Sequence, residues 1–147
     1  MIYSTTSSAS PSPSALVREW YERIPKPIRE LPTLDVPNDE IELIESLLVE
    51  ELGELSDALK DRSVTRTADA LADIVYVAYG AALQFGVDLD AVLAAVHAAN
   101  MSKANPDGSF ELEAAGKVRR GESYSPPDID AVLDVQEAGS TPDASGS

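Results

Sequence analysis

The sequence predicts an all-α protein of the four-helix-bundle type, on three observations. From Asn38 to Lys60 apolar residues recur at helical spacing. From Ala68 to Phe85 they cover nearly the whole circumference, with Asp69 and Asp73 the only acids, and a helix apolar all round is a core helix. Capping residues and a terminating glycine punctuate these stretches where helices start and stop. A chain of 147 residues is long enough to bury one core.

The elements follow in order. Residues 1–14 are rich in Ser, Thr and Pro and carry neither a basic segment nor an apolar run of the signal-peptide kind, so a disordered tail is expected there. Residues 15–24 suit a short amphipathic helix with Leu16, Trp20 and Ile24 on one side, and prolines at 25, 27, 32 and 37 impose an extended connector. Asn38 or Asp39 is placed to cap a long helix to about Lys60, with acids suitably sited in its first turn. A break at 61–63 precedes a helix capped by Thr65 or Thr67 and running to about Phe85, where Gly86 can terminate it in the left-handed conformation. Asp88 caps a fourth helix from Leu89 to about Ser102.

Beyond Lys103 the periodicity fails. Asn105-Pro106-Asp107-Gly108 is a turn signal, and the alternation through Phe110, Leu112 and Val118 allows a small hairpin around Ala115-Gly116. Pro126-Pro127 and the Asp, Ser and Gly-rich end predict a docked arm and then a tail, largely disordered over 126–147. This leaves one domain over 15–125. Three substantial helices and a small one cannot cover the apolar helix at 68–85, so a second copy is expected to do so, as a homodimer or a dimer of dimers.

A net charge of −15 offers no basic stripe to nucleic acid or to an anionic membrane surface. The chain has no cysteine, which excludes disulfides, zinc thiolates and a cysteine nucleophile and fits a cytoplasmic protein. No stretch approaches the roughly 20 apolar residues of a membrane span.

Chemistry concentrates in Glu50-Glu51-Leu52-Gly53-Glu54 and Asp69-Ala70-Leu71-Ala72-Asp73. At about 100° per residue, Glu50, Glu51 and Glu54 share an arc with Leu43, Leu47 and Ala58, beside the arc of Ile44, Leu48 and Leu55. These acids interrupt a face that ought to be buried. Asp73 has no basic residue within helical reach and is followed by Ile74, Val75, Tyr76 and Val77. Buried carboxylates either neutralise or find a cation, and hard oxygen donors without cysteine select Mg²⁺, Mn²⁺ or Ca²⁺. The competing reading is a solvated acidic helix face in a non-enzymatic, dimeric helical interaction protein. A di-iron bundle would need Glu-x-x-His pairs, and an EF-hand its loop pattern, and neither is present.

The ordered combination of Glu-Glu-x-x-Glu, the segment Asp69 to Gly80 and Val96-His97-Ala98-Ala99-Asn100-Met101-Ser102-Lys103 resembles the MazG-like all-α nucleotide pyrophosphohydrolases. The resemblance covers about 38–103, more loosely to Gly121, and is nearest to the phosphoribosyl-ATP-pyrophosphohydrolase-like branch, some members of which are dUTP diphosphatases. It implies that Glu51, Glu54 and Asp73 ligate Mg²⁺ or Mn²⁺, and that Glu50 orients or deprotonates the attacking water. It implies substrate contacts from Asn100 and Lys103, for which an ordinary polar helix end is the alternative. The usual second motif is Glu-x-x-Asp, and Ala70 stands here in the Glu position, with Asp69 a possible substitute ligand.

The reaction implied is hydrolysis of a nucleoside triphosphate between the α and β phosphates to a monophosphate and pyrophosphate, with dUTP the first substrate to expect. The enzyme alternative is phosphoribosyl-ATP pyrophosphohydrolase of histidine biosynthesis. His97, the single histidine, is placed outside the catalytic set, with a substrate contact left open to it. Tyr76 and Tyr79 are expected in the core, with stacking of one of them on a base as the alternative, and the 117–120 basic run either reaches over a triphosphate or is a solvated loop.

Overall fold

The computed structural model describes residues 10–140, which form five helices: α1 Pro13–Tyr21, α2 Asn38–Lys60, α3 Val64–Phe85, α4 Leu89–Met101 and α5 Ile129–Ser140. Among the described residues the only β-type pairing is one antiparallel bridge, Leu112 with Val118, so the all-α expectation holds. None of these helices alone is long and apolar enough to cross a membrane. Contacts gather the described residues into two compact units, one of residues 10–28 and Leu34–Phe85, the other of Arg29–Thr33 and residues 86–140.

In the first unit, α2 and α3 fold back on each other as an αα-hairpin. The turn is a Schellman closure: Ser63 N donates to Ala58 O at 3.0 Å and Arg62 N to Leu59 O at 3.2 Å, with Arg62 left-handed at φ 51°. Ser63, rather than Thr65 or Thr67, caps α3, its hydroxyl accepting from Arg66 N at 3.3 Å. The Schellman bond fixes Ser63 one residue past the left-handed position, so α3 begins before either threonine. Helix α2 starts at Asn38 with Pro37 at the cap position and no side-chain cap bond, so neither Asn38 nor Asp39 caps it. The seam between α2 and α3 is lined by Ala58, 0% exposed, and Ala70, 2% exposed, small residues that let the two backbones approach.

Helix α1 packs on α3. It starts earlier than residue 15 because Ser12 caps it and Pro13 opens it, so the expected tail over 1–14 is helical from residue 13; residues 1–9 lie outside the described residues. It also stops at Tyr21. The buried contact is Val17, one turn before Tyr21, whereas Leu16 and Trp20 are about half exposed. The reason is Tyr21, whose hydroxyl accepts from Gln84 Nε2 at 3.1 Å and whose ring lies over Gly80, where a Cβ would meet the phenol oxygen at 2.3 Å. Burial pushes the Tyr21 phenol above its ordinary pKa.

The second unit begins at Gly86, left-handed at φ 70° as expected, with a Cβ there excluded by Leu31 O at 2.1 Å. Asp88 caps α4 by accepting from Ala91 N at 3.1 Å. The hairpin forms around Gly116, left-handed at φ 83°, with Glu113 N to Lys117 O and Arg119 N to Glu111 O both at 2.8 Å. The main departure is α5, where a largely disordered tail is expected from 126. Ile129, Val132, Leu133 and Gln136 fall at helical spacing and are its half-buried residues, Asp128 caps it through Ala131 N at 3.0 Å, and it packs on α4. A twelve-residue helix is marginal alone; packing stabilises this one. Residues 141–147 lie outside the described residues.

Candidate active site

Register in the αα-hairpin decides which acids meet. Glu51 and Asp73 are equidistant along the chain from Arg62, at the centre of the turn, and so are Glu54 and Ala70. Two helices folded back at that turn therefore set Glu51 level with Asp73 and Glu54 level with the buried Ala70. Glu50, Glu54 and Asp69 are exposed, while Glu51 and Asp73 are half-buried at the seam.

Glu51 carries the strongest sign of strain. Its Oε2 is buried and has no hydrogen-bond partner among the described residues. Its pKa is raised above the ordinary 4.5, first by loss of solvent and then by the charges of Asp73, Glu54, Glu50 and Asp69 in falling order. The five carboxylates predicted from the two motifs thus share one electrostatic environment, with Asp73 the strongest neighbour of Glu51 and Asp69 the weakest. A buried carboxylate oxygen without a donor, ringed by further carboxylates, is relieved by a hard divalent cation or by a proton. Among the described residues no three acidic or histidine side chains close into a ready-made coordination cage. The cluster is drawn together to electrostatic range, as expected for like charges facing one another.

Ala70 stands where a fourth ligand of the usual motif would be, and it is closed into the seam. A longer acid there would be level with Glu54.

Asn100 and Lys103 belong to the second unit, at the end of α4, where Lys103 Nζ donates to Asn100 Oδ1 at 2.7 Å. The lysine is thereby held on the Asn100 face of the helix. His97 is exposed. Tyr76 is 40% exposed and so is not a core residue, because the face of α3 that it shares with Leu71 and Val75 is uncovered in a single chain; Tyr79 is half-buried. Sequence reading left out the residues that fasten the basic run to α4. Gly121, with its N donating to Lys103 O at 3.1 Å, was the available signal, a glycine closing a run of charge.

Comparison with known proteins adds two findings. Over 44 residues the chain is 46% identical to an uncharacterized protein of Acanthamoeba polyphaga mimivirus, an alignment covering 30% of this chain and 18% of that protein's length. The family model described as phosphoribosyl-ATP pyrophosphohydrolase matches residues 17–100, a span holding the second half of α1, the whole of α2 and α3, all five clustered acids and Asn100. The chain belongs to the phosphoribosyl-ATP pyrophosphohydrolase family, within the MazG-like superfamily of all-α pyrophosphohydrolases.

Proposed function

We propose that this protein is a divalent-metal-dependent pyrophosphohydrolase of nucleoside triphosphates, cleaving between the α and β phosphates, with dUTP as its substrate. The observation that carries the metal site is the buried, unpartnered Oε2 of Glu51 among four other carboxylates. Glu51, Glu54 and Asp73 hold Mg²⁺ or Mn²⁺, with Asp69 as an outer contributor. When bound, such a cation neutralises phosphate oxygens and makes water easier to deprotonate.

Glu50, exposed beside this group, orients the attacking water and takes its proton. Water adds across the anhydride, so that one phosphoryl group leaves with the nucleoside and the other two leave as pyrophosphate. Lys103 supplies a positive charge to the phosphates, and Asn100, already bonded to it, steadies the ammonium and offers its amide to the substrate. Support for dUTP comes from the resemblance of the segments 69–80 and 96–103 to the branch with dUTP-cleaving members. The family match supports phosphoribosyl-ATP equally, so both substrates belong in one test. The exposed Leu71, Val75 and Tyr76 support a homodimer, which sedimentation velocity checks.

The deciding experiment is a panel of nucleoside triphosphates and phosphoribosyl-ATP with Mg²⁺ or Mn²⁺, products being separated by chromatography. The expected result is dUMP and pyrophosphate from dUTP. Formation of dUDP overturns the bond assignment. Turnover of phosphoribosyl-ATP alone transfers the protein to histidine biosynthesis, and inertness toward every substrate overturns the catalytic reading.

A further inference from the structure

A chain with net charge −15 has only 11 Lys and Arg side chains, yet four of them line a single cleft of about 710 Å³ in the second unit. The lining residues are Lys103, Lys117, Val118, Arg119, Arg120 and one acid, Glu113. The volume lies within the roughly 300–1,000 Å³ of small-ligand clefts. Gathering cations in this way opposes folding unless an anion meets them, and the local acids go only part of the way. Arg119 reaches Glu111 at 3.4 Å, and Arg120 lies over the Tyr124 ring at 4.6 Å, a contact that holds the guanidinium without neutralising it.

The cleft is built, because the arm is fastened on the far side of its basic run. Gly121 N donates to Lys103 O at 3.1 Å, and its Cα passes so near the end of α4 that a Cβ would lie 2.7 Å from Ala104 O and 2.8 Å from Lys103 O. Backbone atoms cannot swing aside as a side chain can, so this approach requires glycine. Four residues on, Ser125 N donates to Ser102 Oγ at 2.9 Å. The left-handed Gly116 turns the chain back at the other end of the run. Lys117, Arg119 and Arg120 are thus held beside Lys103 by tertiary bonds of their neighbours, none of which the charges themselves need.

We propose that this cleft is a binding site for pyrophosphate, the leaving group of the reaction proposed above, and that Lys117 and Arg120 together with Lys103 are its main contacts. Arginine offers its fork to two phosphate oxygens and lysine a mobile point charge, which suits a diphosphate whose charge is spread over two centres. The inference rests on the catalytic reading only for the identity of the anion; the cleft and its charge stand without it.

The test is isothermal titration of inorganic pyrophosphate into the full chain, in EDTA so that no metal on the carboxylates can hold the anion. Lys117→Gln with Arg120→Gln should weaken binding about tenfold or more, at exposed positions where the melting temperature is a check on folding. Glu113→Gln should strengthen it, since the one acid of the lining is then removed, an effect of opposite sign that damage to the fold cannot produce. Binding unchanged in both variants overturns the proposal, as does wild-type protein that takes up no pyrophosphate. If pyrophosphate binds in this pattern while every nucleotide and phosphoribosyl-ATP is inert, the catalytic reading falls and the anion site stands. If dUTP is cleaved while the variants bind pyrophosphate normally, the anion site falls alone.

Discussion

The acids of α2 and α3 and the cations of the 117–120 run are gathered by different structural means. On the helix pair, spacing along two regular elements and a tight turn are enough to bring Glu51 and Asp73 to the same level. The charges oppose the arrangement, and the apolar seam around Ala58 and Ala70 holds it. In the second unit no regular element carries the basic run; two tie points and a left-handed glycine position it. A charge cluster on a helix pair is therefore written into residue spacing, whereas one on an irregular arm depends on contacts between residues distant in sequence.

The largest effect expected is on the acidic side. Glu54→Gln should lower kcat by at least about a hundredfold, in line with loss of a group that holds charge in the transition state, while the metal-free protein melts at the same temperature or higher because a like charge has gone. Full activity in this variant would erase the distinction between a catalytic cluster and an acidic surface. On the other side, Lys103→Ala should weaken triphosphate binding by about 1–3 kcal/mol, read as KM, and leave Mn²⁺ affinity in the absence of nucleotide unchanged. A loss of Mn²⁺ affinity would mean that the two charge groups are not separable.

The third prediction uses pH. Glu51 has its folded pKa raised above the ordinary 4.5, so its contribution to stability is fully present below that value and is lost as pH rises through the raised one. In EDTA, wild-type protein should lose stability relative to Glu51→Gln across this window, measured as urea midpoints from pH 4 upward. A constant gap between the two midpoints would remove the electrostatic account of the cluster. The smallest effect belongs to the turn between the helices. Arg62 adopts a left-handed conformation that glycine enters freely, so Arg62→Gly should stabilise by about 0.5–1 kcal/mol, visible as a higher urea midpoint with unchanged slope.

Legibility followed the same division. The long helices α2, α3 and α4, the Asp88 cap and the Gly86 terminator were readable because each depends on residues within a turn or two of one another. The cap of α3 lies a few residues before Thr65 and Thr67 because the turn that joins it to α2, and not the best capping side chain, sets where α3 begins. Helix α5 was hidden by composition: Pro126-Pro127 before it and Gly139-Ser140 at its end outweighed a sound i, i+3, i+4, i+7 pattern. The choice of Val17 over Leu16 and Trp20 as the buried face of α1 depends on Tyr21 finding Gly80 and Gln84, which lie far along the chain. Spacing likewise grouped the five acids, but not the solitary oxygen of Glu51, since burial of one atom is a tertiary property.

Gln136 of α5 makes the connection between chemical ageing and fold concrete. Its Oε1 accepts from Asp88 N at 3.0 Å, while its Nε2 donates to Gly86 O at 2.7 Å and Glu30 O at 3.2 Å. One amide thus joins the helix to a connector and to a chain reversal, and only one orientation of that amide satisfies all three partners. Deamidation would leave the shape untouched and replace the donor by an anionic oxygen facing two carbonyls. Repulsion from those carbonyls would push the side chain off its seat and carry Oε1 away from the Asp88 amide, so that slow spontaneous chemistry at a single half-buried helix position would be read out as early hydrogen exchange at the α5 end of the second unit.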